Sequence, residues 1–132
     1  MPTLEQIRAC FAGDRFASEC LGAVIEVAEP HHAVVSVKLC PTHCNALGNP
    51  MGGAIFTLAD FAFAIAANGH SERVTVSQSA NIHFLSAAKG SELRAEAHCV
   101  KAGRTTSLYT VDVHDELGTH VAYVTVSGYI VK

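Results

Sequence analysis

The chain has 132 residues, of which 49% are apolar and 16% charged, with a formal net charge of -3. That is one domain's length, and its charged share falls below the usual value of about 25%. The negative balance excludes electrostatic attraction to nucleic acid or anionic membranes, and no apolar run approaches the roughly 20 residues a membrane-spanning helix needs. So little charge favours burial of a second apolar face against another copy of the chain, and a homo-oligomer, dimer or tetramer, is expected.

The N-terminus lacks the basic and apolar regions of a signal peptide, and the protein reads as cytoplasmic. Residues 3–12 place Leu4, Ile7 and Phe11 at helical spacing behind a Thr3 cap, and Gly13 ends the run. Cys20–Ala28 and Ala33–Leu39 are rich in β-branched residues and are separated by Glu29-Pro30-His31-His32, which predicts a hairpin. Pro41–Pro50 is a loop without period. Gly53–Asn68 is apolar on nearly every face, as a helix enclosed by protein is, and Asn68-Gly69 stops it.

The period then changes to two. Val74–Leu85, Glu92–Lys101, Thr105–Val113 and His120–Val131 are four strands, with turns at Lys89-Gly90, Ala102-Gly103-Arg104 and Asp115-Glu116-Leu117-Gly118. The expected architecture is α+β: a four-stranded meander and a hairpin in a sheet that curls around one long helix. Five cysteines without CxxC spacing read as reduced thiols, and Cys40, His43 and Cys44 lack the second ligand pair of a metal site.

The run His43-Cys44-Asn45-x-x-Gly48-x-x-Met51-Gly52-Gly53-x-x-x-Thr57-Leu58-Ala59-Asp60-x-Ala62, with Ala66-Ala67-Asn68, resembles the central motif of hotdog-fold acyl-CoA thioesterases of the phenylacetic-acid-degradation, PaaI-like, group. Asn81-Ile82-His83-Phe84-Leu85 and Lys101-x-Gly103-Arg104-Thr105 are similar to the family's later strands, so the likeness runs from about residue 20 to the C-terminus. The resemblance implies a hotdog domain over residues 1–132 that hydrolyses an acyl-CoA, with no metal and no cofactor beyond the CoA of the substrate. One position departs: the histidine that usually precedes the two glycines is Met51, which makes no ordinary hydrogen bond.

Gly52 and Gly53 admit two readings, a flexible loop-to-helix turn or amide donors to the oxyanion of an attacked thioester. The resemblance implies the second, with Gly52 the donor and Gly53 and Met51 beside the substrate. Asp60, a carboxylate among Leu58, Ala59, Phe61 and Ala62, either caps a buried polar site or serves as base or nucleophile, and the resemblance implies the latter. Asn45 reads as an ordinary turn residue or, matching the family's loop amide, as the group that holds the thioester carbonyl or the water; Ser77 would help bind that water; and Lys101 and Arg104 read as a solvated hairpin tip or as contacts for CoA phosphates. His83 and His98 read as solvated strand residues, and Phe56, Phe61 and Phe63 as core.

Gly52 and Asp60 are eight residues apart on one helix, about 12 Å, whereas an oxyanion donor and a base must converge within about 3 Å of one carbonyl. The expected site therefore combines Asn45 and Gly52 of one chain with Asp60 and Ser77 of another. Two other activities stay open: a module that binds acyl-CoA without cutting it, and a dehydratase, which would require a histidine acid-base partner.

Overall fold

The computed structural model describes residues 1–131. Helix α1 (Leu4–Phe11) starts with a reciprocal cap: the Gln6 amide donates to Thr3 Oγ1 at 3.2 Å, and the Thr3 amide donates to Gln6 Oε1 at 2.9 Å. Phe16–Leu21 then form one wide π-helical turn, closed by Gly22 at φ 83°. That turn corrects the hairpin expected from Cys20: strand β1 begins only at Val24 and runs to Glu29, with β2 at His32–Lys38. The left-handed backbone at Gly22 suits glycine and breaks the extended path there.

Helix α2 (Gly52–Asn68) follows, then β3 (Val74–Phe84), β4 (Glu92–Ala102), β5 (Thr106–Asp115) and β6 (His120–Val131). All strand pairs are antiparallel, in the order β1-β2-β4-β5-β6-β3. The four-stranded meander is thus corrected to three strands, β4-β5-β6, with β3 carried to the far edge beside β6, from Val74↔Val131 to Phe84↔Ala122. Residues 85–91 are longer than a typical hairpin loop of about 2–5 residues, so β3 and β4 need not be neighbours. Two contacts hold β3 along α2 instead. Asn68 clasps the backbone of Thr75, accepting from its amide at 2.7 Å and donating to its carbonyl at 2.9 Å, and the Phe84 ring rests against Gly52.

The sheet curls around α2 in the hotdog arrangement. Leu58, Ala59, Ala62 and Ile65 of α2 are fully buried and share one core with Val35, Ala95, Val111, Val113 and Val124 of the sheet. No helix among the described residues is long and apolar enough to cross a membrane.

Lys89-Gly90 is not a hairpin turn. Both amides donate to Asp115 Oδ2, at 2.8 and 3.0 Å, while Leu117 and Thr119 donate to Oδ1 at 3.0 and 2.8 Å. Burial opposes ionisation of Asp115, but these amides outweigh it and hold the carboxyl far below its usual range. Asp115→Ala should lower the melting temperature by about 5–10 °C, because it leaves several amides unpaired at once. The depressed folded value fixes the sign of the pH dependence. The contribution is complete above the unfolded carboxyl's pKa, about 4, and is lost as pH falls further, so parent and variant melting curves should converge in acid.

Candidate active site

The loop before α2 is set by its own polar groups. Pro41–His43 make a 3-10 turn, Cys44 bridges Pro50, and Gly48 turns the chain at φ 84°. Asn45 Oδ1 accepts from the amides of Leu47 and Asn49 at 3.0 and 3.1 Å, and the Met51 amide donates to the His43 carbonyl at 2.8 Å. Met51 thereby arrives at the N-cap of α2, where its thioether supplies no cap. The Met51 carbonyl accepts from Ala54 and Ile55, and among the described residues the amides of Gly52 and Gly53 donate to nothing. Two open N–H groups at the positive end of a 17-residue helix form an electrophilic patch suited to an oxyanion.

The two glycines face different surroundings. A Cβ on Gly52 would meet the Phe84 ring at 2.9 Å, whereas one on Gly53 would meet nothing within 4 Å. Gly53 opens into a pocket of about 420 Å³, walled by Phe16, Leu21, His43, Met51, Ala54 and Thr57 among others. Asp60 lines an adjoining groove of about 350 Å³ that shares Phe16 and Thr57 with this pocket. Its half-buried carboxylate has no hydrogen bond or ion pair among the described residues. Burial, and then the negative charge of Asp14, push its pKa up from the ordinary value. Arg15 lines the same groove but is engaged by Glu19 at 2.7 and 3.1 Å.

One chain brings together Met51, Gly52, Gly53 and, two turns along the helix, Asp60. Asn45 stands in the preceding loop with its oxygen committed to the turn, which leaves its amide nitrogen as the free group. Ser77 is exposed on β3 beside a bulge and lines neither the pocket nor the groove. Lys101 lines a separate depression with Gln78 and Ser107, and Arg104 sits in the exposed β4–β5 turn. That turn lies at the far end of α2: Ser107 and Ser77 both pair with Gly128, next to the Thr75 that Asn68 clasps. Seventeen helical residues, about 25 Å, separate it from the helix start.

Two pocket residues were not legible as such in the sequence. Phe16, 68% exposed, reaches the pocket from the π-helical turn, for which an apolar periodicity gives no signal. His43 is buried, and its Nδ1 accepts from the Cys40 amide at 3.2 Å, which leaves Nε2 as the nitrogen that carries a proton. The sequence showed His43 as the first residue of the central motif, without marking it as a pocket wall.

Residues 47–122 match the family described as the Thioesterase superfamily. A protein of Archaeoglobus fulgidus named "Putative esterase" is 33% identical over 104 residues, covering 79% of this chain and 68% of that protein. A mutant of the phenylacetic acid degradation protein PaaI from Thermus thermophilus superposes with a TM-score of 0.76 at 30% identity, over 85% of this chain and 96% of that one. A hypothetical thioesterase from Streptococcus pneumoniae, solved with coenzyme A, superposes with a TM-score of 0.79 at 27% identity, over 91% and 95% of the two chains.

Proposed function

The chain belongs to the thioesterase superfamily, as a PaaI-like hotdog protein, and from that premise we propose that it hydrolyses an acyl-CoA thioester to the free acid and CoA. The observation that carries this reading is the uncapped start of α2, with the Gly52 and Gly53 amides unpartnered and Gly53 lining an apolar pocket. The coenzyme A held by the pneumococcal thioesterase supports the same ligand here.

In the proposed reaction the thioester carbonyl oxygen takes the Gly52 amide, with Gly53 beside it, and the acyl group enters the pocket past Met51. Asp60 removes a proton from a water whose oxygen bonds to the carbonyl carbon. The tetrahedral intermediate then collapses, the carbon–sulfur bond breaks, and the CoA thiolate leaves and is protonated. A carboxylate raised above its ordinary pKa is a stronger base than an exposed one. The free amide nitrogen of Asn45 is available to hold the carbonyl or the water.

The separation along α2 makes the site a shared one. Strand β3 is an eleven-residue sheet edge with Val74, Val76, Phe84 and the adjoining Leu85 exposed at its two ends, and a long unpaired edge of this kind favours pairing with another copy. Antiparallel pairing of two such edges about a twofold axis sets the helices antiparallel. The start of one α2 then lies nearer the partner's Asp60, and the partner's Ser77, Lys101 and Arg104 approach from the end of the sheet that is remote within one chain. Lys101 and Arg104 form no ion pair among the described residues, which leaves both for the CoA phosphates.

A panel of thioesters from acetyl- to long-chain and aryl-CoA, read by thiol release with light scattering on the same sample, tests this. Turnover of at least one member by a dimer or tetramer is the expected outcome. Tight binding across the panel without any thiol release would favour a module that holds acyl-CoA uncut, a reading kept in view by Met51, a side chain without a polar hydrogen in the wall of the pocket. An active monomer would remove the shared site.

A further inference from the structure

The outer face of the sheet gathers a second set of functional side chains, remote from α2's N-terminus and unused in the proposed hydrolysis. His32 opens β2 directly opposite His98 of β4, and Glu96, two residues before His98, projects from the same face. Glu96 Oε2 lies 2.7 Å from His32 Nε2 and 3.4 Å from His98 Nε2, and the two rings stack with centroids 4.9 Å apart. Glu29, at the end of β1, stands 2.6 Å from the other nitrogen of His32, Nδ1. We propose that His32, Glu96 and His98 form a binding site for one divalent transition-metal ion of the zinc class, with Glu29 orienting His32 from behind.

The geometry fits such an ion closely. Ligand atoms about 2.1 Å from a tetrahedral zinc lie about 3.4 Å from one another, which is the distance already present between His98 and Glu96. The three donor atoms all fall within 4.8 Å of one another, so modest side-chain rotations close the remaining edges. His32 Nε2 now shares a hydrogen with Glu96. An ion at that place would displace this proton to solvent and bond to the freed lone pair, while Nδ1–H stays donated to Glu29. A ligating histidine whose second nitrogen is held by a carboxylate is the usual outer arrangement of protein zinc sites. Two imidazoles and one carboxylate leave a fourth position for water, and they favour zinc, nickel or copper over magnesium or calcium. Because the ligands come from β2 and β4, and Glu29 from β1, the ion would fasten the β1–β2 hairpin to the centre of the sheet.

The test uses the full chain, stripped with a chelator and titrated with Zn²⁺ alone against a chromophoric competitor. One equivalent per chain should bind with a Kd of about 10 µM or tighter and raise the melting temperature. His32→Ala and His98→Ala should each weaken binding at least about tenfold, Glu29→Gln should weaken it about tenfold, and His83→Ala should leave it unchanged. Glu96→Gln keeps the side chain's shape and covers the case in which an alanine variant misfolds. Cu²⁺ in the same site should give an electron paramagnetic resonance spectrum with coupling to two imidazole nitrogens. Binding weaker than about 1 mM would mean that the cluster is an ion-pair network only. Affinity unchanged in both histidine variants would place the metal elsewhere on the chain, and either result overturns the site.

Discussion

Asp60→Asn should lower kcat by about 10² to 10⁴-fold while leaving the fold and the KM for acyl-CoA nearly unchanged. The carboxylate has no partner among the described residues and sits in a groove contiguous with the pocket above the helix start. Asparagine matches its shape but cannot accept a proton. Since burial and Asp14 raise the folded pKa, kcat/KM of the parent should rise with pH through a limb displaced above the usual carboxylate range, and that limb should vanish in the variant. An Asp60→Asn protein as fast as the parent would end the base assignment.

The same substitution should stabilise the chain. A carboxyl whose folded pKa is raised costs stability once pH passes the unfolded value near 4, and the cost is complete above the folded value. Asp60→Asn should therefore melt higher than the parent at neutral pH, with the gain fading below about pH 4. A residue kept for packing alone would not trade stability for turnover in this way.

Sharing of the site has its own measurement. Gly52 occupies the first helical position, behind a Met51 whose backbone is extended at ψ 143°, so the backbone accepts Gly52→Pro, which removes one N–H, and the exposed Phe84 ring, 2.9 Å from the new Cβ, must shift to admit it. It should be inactive or nearly so. Co-expression of Asp60→Asn with Gly52→Pro chains should restore about a quarter of parental activity, since half of randomly mixed dimers are hetero and one of their two sites is intact. If both groups served one chain's site, mixing would restore nothing.

Phe63→Ala should cost about 3–5 kcal/mol in urea unfolding and lower the melting temperature by about 10–20 °C. Phe63 is 2% exposed and meets Tyr109 edge to face, with ring centroids 5.3 Å apart. Tyr109 is in turn 2.8 Å from His31 Nδ1 in the β1–β2 turn. The Phe63 ring also closes on Gly128, where a Cβ would come within 2.7 Å of Ser107 and Thr75, so β3, β5 and β6 all bear on this point. Truncation leaves a void that three strands cannot fill together. Phe63→Leu should cost much less, and equal losses in the two variants would mean that the ring's volume is not what matters.

Much of this was legible in the sequence because it is local. The cap at Thr3, the all-round apolarity of α2, the period of two in β4 to β6 and the turn at Ala102-Gly103-Arg104 follow from neighbouring residues and fixed backbone geometry. The spacing of Gly52 and Asp60 already placed them about two turns apart. What the sequence left open depended on residues far apart in the chain. Only the tertiary structure put β3 beside β6, since strand adjacency over residues 85–91 is decided by packing along α2 rather than by a turn. Asn45 shows the same limit on a smaller scale: its place in the loop was readable, but the commitment of its oxygen to Leu47 and Asn49 was not. His32 read as part of the turn between the first two strands and His98 as a solvated strand residue, and the β2–β4 register alone sets them opposite each other with Glu96 within reach of both. Local interactions fix which elements form, whereas side-chain convergence across strands depends on register and curl, which the whole core selects at once.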